Sequence, residues 1–121
     1  MLLCAAMAFG AMAFSSKQQP KHNFQILPQN ISSDSLKSIM HGFNKALGVE
    51  CNFCHAQSAT DSTKLDFASD AKKEKEYARH MMKITMGVNA TYFNWENSTQ
   101  PDTLKVVTCM MCHHGNQKPE K

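Results

Sequence analysis

Two pentapeptides, 51-CNFCH-55 and 109-CMMCH-113, decide how this chain of 121 residues folds. Each places two cysteines three positions apart and a histidine directly after the second cysteine. C-x-x-C-H is the attachment signature of c-type haem, and this composition would give only about 0.01 copies by chance. The sequence therefore predicts two covalently bound haem c groups. The predicted thioether tethers are Cys51, Cys54, Cys109 and Cys112, and the predicted proximal iron ligands are His55 and His113.

A zinc site is the alternative use of two C-x-x-C pairs. Zinc knuckles contain such pairs, but zinc does not require a histidine after each of them. The fifth cysteine, Cys4, lies in an apolar N-terminal run that we interpret below as a cleaved signal peptide. The mature chain would then have no cysteine left for a structural disulfide. We therefore favour haem over zinc.

The N-terminal run indicates export. Residues 2–14 are uncharged and mostly apolar, polar residues follow abruptly, and 11–13 form an A-x-A cleavage pattern. This predicts a signal peptide over residues 1–13 and a location in the periplasm or at the cell exterior, although no basic residue precedes the run. The run is too short to span a bilayer. Lipid attachment at Cys4 is disfavoured because Leu3 precedes it.

The rest of the chain has the length of one domain. We predict an extended lead-in over 14–31, a dihaem domain over 32–118 and a tail over 119–121. Within the domain, the haem 1 unit (32–56) and the haem 2 unit (71–115) each consist of an amphipathic helix, a connection and C-x-x-C-H. No alternating strand pattern occurs. The predicted fold class is mostly α: a small haem-filled domain with two helix–turn–CxxCH repeats and little or no β-sheet.

Both predicted helices carry one apolar stripe. Ser32 or Ser33 can cap the first helix, and Gly48 ends it shortly before Cys51. Spacings of three and four residues define each stripe. The first stripe contains Leu36, Ile39, Met40, Phe43 and Leu47, and the second contains Tyr77, Met81, Ile84 and Val88.

A sixth iron ligand would close each haem. Methionine is the ligand that raises the reduction potential. Met40 lies on the first stripe, near its motif, and we predict it as a ligand, with core packing as the alternative. On the second helix Met81, Met82 and Met86 compete, and only Met81 lies on the stripe. His41 and His80 point about 100° away from the adjacent methionines, which disfavours them as ligands.

The segments LKSIMHGFNKALGVECNFCH, ARHMMKITMGVN and VTCMMCHHG resemble the cytochrome c subunit family of photosynthetic reaction centres. The family's repeat is a helix with an axial methionine, a turn and C-x-x-C-H. The resemblance implies Met40 and Met81 as axial ligands, since Met81 matches the methionine of the family's A-R-x-M segment. Family members carry four haems, whereas this sequence has two motifs and matches half of such a protein.

These features predict an electron carrier. A formal net charge of +3 without a basic stripe argues against nucleic acid as a partner. We expect redox protein partners, with a membrane electron-transfer complex as one candidate, and we expect no small-molecule substrate and no enzyme activity. One alternative is a small dihaem peroxidase-like enzyme with one open iron. Another is a subunit of an electron-conducting assembly, in which His22 donates a ligand to a neighbouring copy.

Overall fold

A computed structural model describes residues 22–97, 99 and 105–119. The predicted signal peptide, the first part of the lead-in and the last two residues of the tail lie outside these ranges. The described residues form four helices and one two-stranded antiparallel sheet, which confirms the predicted mostly helical fold with little β-structure. In chain order the elements are α1 (Ser33–Leu47), α2 (Cys51–Cys54), β1 (Ala56–Gln57), β2 (Leu65–Asp66), α3 (Lys73–Tyr92) and α4 (Cys109–His113).

Helix α1 begins where the sequence predicts. The Ser32 hydroxyl accepts the backbone N–H of Ser35 at 3.1 Å, which satisfies one of the unpaired donors of the first turn. Asp34 lies in that turn, where a negative charge interacts favourably with the positive end of the helix dipole. The cap therefore fixes the start of α1.

A left-handed glycine ends α1 and directs the chain into the first motif. Gly48 has φ +62°, a conformation that glycine adopts without a Cβ penalty. The N–H groups of Gly48 and Val49 both donate to the carbonyl oxygen of Asn44, the latter at 3.1 Å. Because the helix ends in this tight turn, Cys51 starts α2 only three residues later.

A charged cluster fastens the loop after β2 and the lead-in to α3. Lys75 Nζ donates to the carbonyl oxygen of Phe67 at 3.0 Å and pairs with Asp70 at 3.1 Å. Arg79 pairs with Asp70 at 2.9 Å and donates to the carbonyl oxygen of Asn23 at 3.1 Å. The hydrogen bond from Arg79 lowers the pKa of Asp70 to about 2. The cluster therefore connects three stretches of chain at the start of α3.

The two repeats interlock. Helix α4 of the second motif packs against α1, and helix α2 of the first motif packs against α3. The N–H of Gly115, just after α4, donates to the carbonyl oxygen of Ala46 at 2.9 Å. A Cβ on Gly48 would overlap the carbonyl oxygen of Gly115, so the two backbones touch directly.

Few side chains of the described residues are fully buried. Ala46 is the buried apolar residue, at 3% exposure, and Asn89 the buried polar one, at 2%. On α3, three residues of the predicted stripe, Tyr77, Met81 and Ile84, are 62%, 47% and 48% exposed. The polypeptide itself therefore leaves an apolar face of α3 open, and its side chains alone supply little of a hydrophobic core. None of the described helices is long and apolar enough to cross a membrane.

Candidate haem-binding sites

The first motif forms a single helical turn beside the start of α3. Cys51 and Cys54 begin and end α2, and the N–H of His55 donates to the carbonyl oxygen of Cys51 at 3.0 Å. The spacing of three residues places the two cysteines on the same side of the turn. Both sulfurs can therefore meet one edge of a flat group.

The imidazole of His55 lies against the edge of Phe67, with ring centroids 5.0 Å apart and an interplanar angle of 68°. Its Nδ1 is buried and has no hydrogen-bond partner among the described residues. Burial, followed by the charge of Lys75, lowers the pKa of His55, which favours the neutral imidazole. Neutral imidazole is the form that binds a metal ion.

The second motif holds its histidine by a hydrogen bond. In α4 the Nδ1 of His113 lies 3.0 Å from the carbonyl oxygen of Asn116. A carbonyl oxygen only accepts, so Nδ1 carries the hydrogen and the lone pair of Nε2 is free to bind iron. The chain reaches Asn116 through two left-handed residues, His114 at φ 50° and Gly115 at φ 85°.

Burial affects the thiol of one cysteine in each motif. Burial, with a smaller contribution from Glu74, raises the pKa of Cys54, and burial also raises the pKa of Cys109. Both side chains are therefore thiols at neutral pH. A thiol is the form whose sulfur and hydrogen together add across a porphyrin vinyl group to give a thioether.

The segment before α4 is tied to α3 by a buried amide. Asn89 Oδ1 accepts the N–H of Val107 at 2.7 Å, and its Nδ2 donates to the carbonyl oxygen of the same residue at 2.9 Å. Val107 lies two residues before Cys109, as Val49 lies two residues before Cys51. Each motif is thus preceded by a valine whose backbone is bonded to the long helix before it.

The predicted axial methionines lie on the two long helices. Met40 is half-buried in α1, and Met81 lies on the open stripe of α3. Met82 and Met86 are half-buried on another side of α3. The choice of Met40 and Met81 as iron ligands stays a prediction.

The described cysteines form two separate pairs. Within residues 22–97, 99 and 105–119, no group of three or more His, Cys, Asp or Glu side chains converges as a metal site would require. The donor set of each motif is instead two thiols and one imidazole on a single turn. This set fits a haem, since the porphyrin supplies the other iron ligands and its apolar faces can cover the open stripe of α3.

Comparison with known proteins identifies the family. A model of the photosynthetic reaction centre cytochrome C subunit matches residues 59–121, which include α3 and the second motif. The chain belongs to this family. Membership in a cytochrome c family supports covalently bound haem c as the cofactor and electron transfer as the general function.

Two relatives support the assignment. The photosynthetic reaction center cytochrome c subunit of Rubrivivax gelatinosus is 32% identical over 71 residues, which cover 59% of this chain and 16% of that protein. Cytochrome c-554 of Chloroflexus aurantiacus is 29% identical over 97 residues, covering 77% of this chain and 20% of the relative. The chain thus spans a fifth or less of each relative. No solved structure matches it.

Sequence reasoning missed the residues that support the two histidines. Phe67 belongs to a polar loop, and Asn116 acts through its backbone carbonyl, which no side-chain pattern reveals. Asn89 gave a usable signal, because asparagine is a weak helix former and its amide competes for backbone hydrogen bonds inside a helix.

Proposed function

We propose that this member of the cytochrome c subunit family is a dihaem cytochrome that transfers single electrons between redox proteins outside the cytoplasm. The observation that carries the proposal is the repeated turn in which two cysteines and a histidine are presented together, at α2 and again at α4. Family membership supports haem c, and the repetition supports two copies of it.

The residues would divide the work as follows. One haem would be tethered by Cys51 and Cys54, and the other by Cys109 and Cys112. Each pair would fix one edge of its haem to the chain. His55 and His113 would bind the irons through Nε2. Met40 and Met81 would bind the opposite faces, close both irons to other ligands and raise their potentials. The haems supply one-electron redox chemistry, and the protein supplies their ligands, orientation and burial.

One relative supports the proposed partners, and the N-terminal sequence supports the proposed location. The relative from Rubrivivax gelatinosus is named as part of a photosynthetic reaction center, which favours a membrane electron-transfer complex as a partner for this chain as well. The apolar N-terminal run favours export to the periplasm or cell exterior, where c-type haem would be attached. The domain boundaries predicted above are part of the proposal.

Purified protein, matured with haem, tests the proposal directly. Intact mass and haem content should show two haems per chain, and the oxidised spectrum should show low-spin iron with a methionine–iron band. Met40→Ala and Met81→Ala should each remove about half of that band. Met82→Ala is the matched control on α3 and should keep the whole band.

The outcomes separate the candidates. One haem per chain would contradict the dihaem assignment. High-spin iron in the unmutated protein would mean an open coordination position and would favour a peroxidase-like enzyme. Loss of one low-spin signal after removal of the lead-in that contains His22 would favour an assembly in which His22 of one copy binds an iron of a neighbouring copy.

A further inference from the structure

Asn89 is the most buried polar residue of the described chain, and both of its amide atoms are used. Its oxygen and nitrogen bond the N–H and the carbonyl of Val107 at 2.7 and 2.9 Å. These are the two hydrogen bonds that one strand residue would make with a neighbouring strand. The side chain thus replaces a strand at this point and fixes the backbone 18 positions along the chain.

The first repeat holds the segment before its motif by a backbone hydrogen bond within the turn that ends α1. There the N–H of Val49 donates to the backbone carbonyl oxygen of Asn44 at 3.1 Å, across the turn at Gly48. In the second repeat α3 ends at Tyr92, far before Cys109, so no helix-end turn can hold the motif. The side chain of Asn89, a residue within α3, holds the segment before the motif instead.

The position of Asn89 on α3 relates this anchor to the predicted axial ligand. Asn89 follows Met81 by eight residues, which is about 12 Å along the helix axis and about 80° around it. The anchored segment therefore lies beside the open stripe that carries Met81. A haem tethered two residues beyond Val107 would be held within reach of that stripe.

We propose that Asn89 is the positioning residue of the second haem: it sets the distance between the attachment motif at α4 and Met81, and the Met81–iron bond depends on it. This inference rests on the proposed function. Asn89 does not touch the iron ligands itself. It acts through the backbone of Val107, which leads directly into the motif.

Asn89→Ala in the haem-matured protein is the test. It leaves the N–H and carbonyl of Val107 without partners, so we expect the equilibrium constant for methionine binding at the second iron to fall about tenfold or more, as the cost of unsatisfied buried hydrogen-bonding groups implies. The methionine signal of the first haem should remain. Asn89→Asp keeps an acceptor for the Val107 N–H but places a buried carboxylate oxygen against the Val107 carbonyl oxygen, so the same signal should fall in this variant as well. Lys83→Ala, an exposed truncation on α3, is the control and should change neither signal.

The possible results differ clearly. Two intact methionine signals in the Ala or Asp variant would overturn the inference. Equal loss of both signals in both variants would also overturn it, since that result indicates general unfolding. If the unmutated protein has no haem at Cys109 and Cys112, the proposed function itself fails, whatever Asn89 does.

Discussion

Replacing Gly48 by alanine should destabilise the fold more than its backbone conformation alone would explain. Gly48 has φ +62°, and an alanine there pays roughly 1–2 kcal/mol for left-handed geometry. Its Cβ would also overlap the carbonyl oxygen of Gly115 and lie 3.1 Å from the carbonyl carbon. Both of these are backbone atoms, so α1 and the end of α4 would have to move apart.

A second glycine separates the two costs. Gly115 has φ +85°, but a Cβ there would meet its nearest atom, the Lys45 carbonyl oxygen, at 3.9 Å. Gly115→Ala should therefore cost only the backbone strain, about 1 kcal/mol after the gain from a less flexible unfolded chain. Gly48→Ala adds an overpacking cost of about 1–3 kcal/mol, which brings its total to about 3 kcal/mol.

Denaturant unfolding of the haem-matured protein, followed by circular dichroism, measures these differences. Gly42→Ala is the matched control within α1, because its Cβ would meet nothing within 4 Å. Alanine is the better helix former, so this control should stabilise the protein by about 0.5–1 kcal/mol. Gly42→Ala and Gly48→Ala should thus change the free energy of unfolding in opposite directions.

Gly48→Asn provides the refuting result. Asparagine tolerates the left-handed region but still has a Cβ, so it should remain at least about 1–2 kcal/mol less stable than the unmutated protein. If Gly48→Asn matches the unmutated protein, backbone conformation is the whole requirement and the contact with Gly115 is not a constraint. The interlocking of the repeats at this point would then be wrong.

Two further predictions concern acid stability and redox order. The pKa of Asp70 is about 2, below its ordinary 3.8, so its contribution to stability is complete above about pH 4 and is lost as the pH falls towards 2. Asp70→Asn should remove this acid-dependent part of the free energy of unfolding, which is less than about 1 kcal/mol because Asp70 itself is exposed, from unfolding curves measured across that range. The Nδ1 bond of His113 to Asn116 should increase electron donation from its Nε2 to a bound iron and so favour the ferric state. In the dihaem protein proposed above, the haem at α4 should therefore have a lower reduction potential than the haem at α2, and equal or reversed potentials would contradict this.

Local signals allowed much of the fold to be predicted. The cap at Ser32 and the stop at Gly48 depend on interactions within a few residues, and the structure confirms both. The motif spacing likewise defines each attachment turn. The packing of α4 on α1 was not predicted, because the contact between Gly115 and Ala46 joins distant positions whose residue types carry no pattern.

The apolar stripe of α3 shows a second limit of prediction from the sequence. Its spacing predicts an apolar face on α3, but a stripe of this kind does not say what covers it. In the structure Tyr77, Met81 and Ile84 remain about half exposed or more, while the side that faces the lead-in carries Arg79 and its polar partners. A helix whose apolar face would be covered by a cofactor therefore has the same hydrophobic periodicity as a helix that packs against core side chains.

The interlocked repeats have a consequence for how such a protein matures. Since α4 rests on α1 and α2 rests on α3, neither motif is held by its own repeat alone. Ala46 is the buried apolar side chain of the described residues, so the apolar surface of bound haem c would have to supply much of the hydrophobic stabilisation. In the dihaem protein proposed above, attachment of the first haem would then order α1 and α3 together and present the second motif for attachment. On this reasoning, removing Cys51 and Cys54 should reduce haem attachment at α4 as well, whereas two independent units would leave it unchanged.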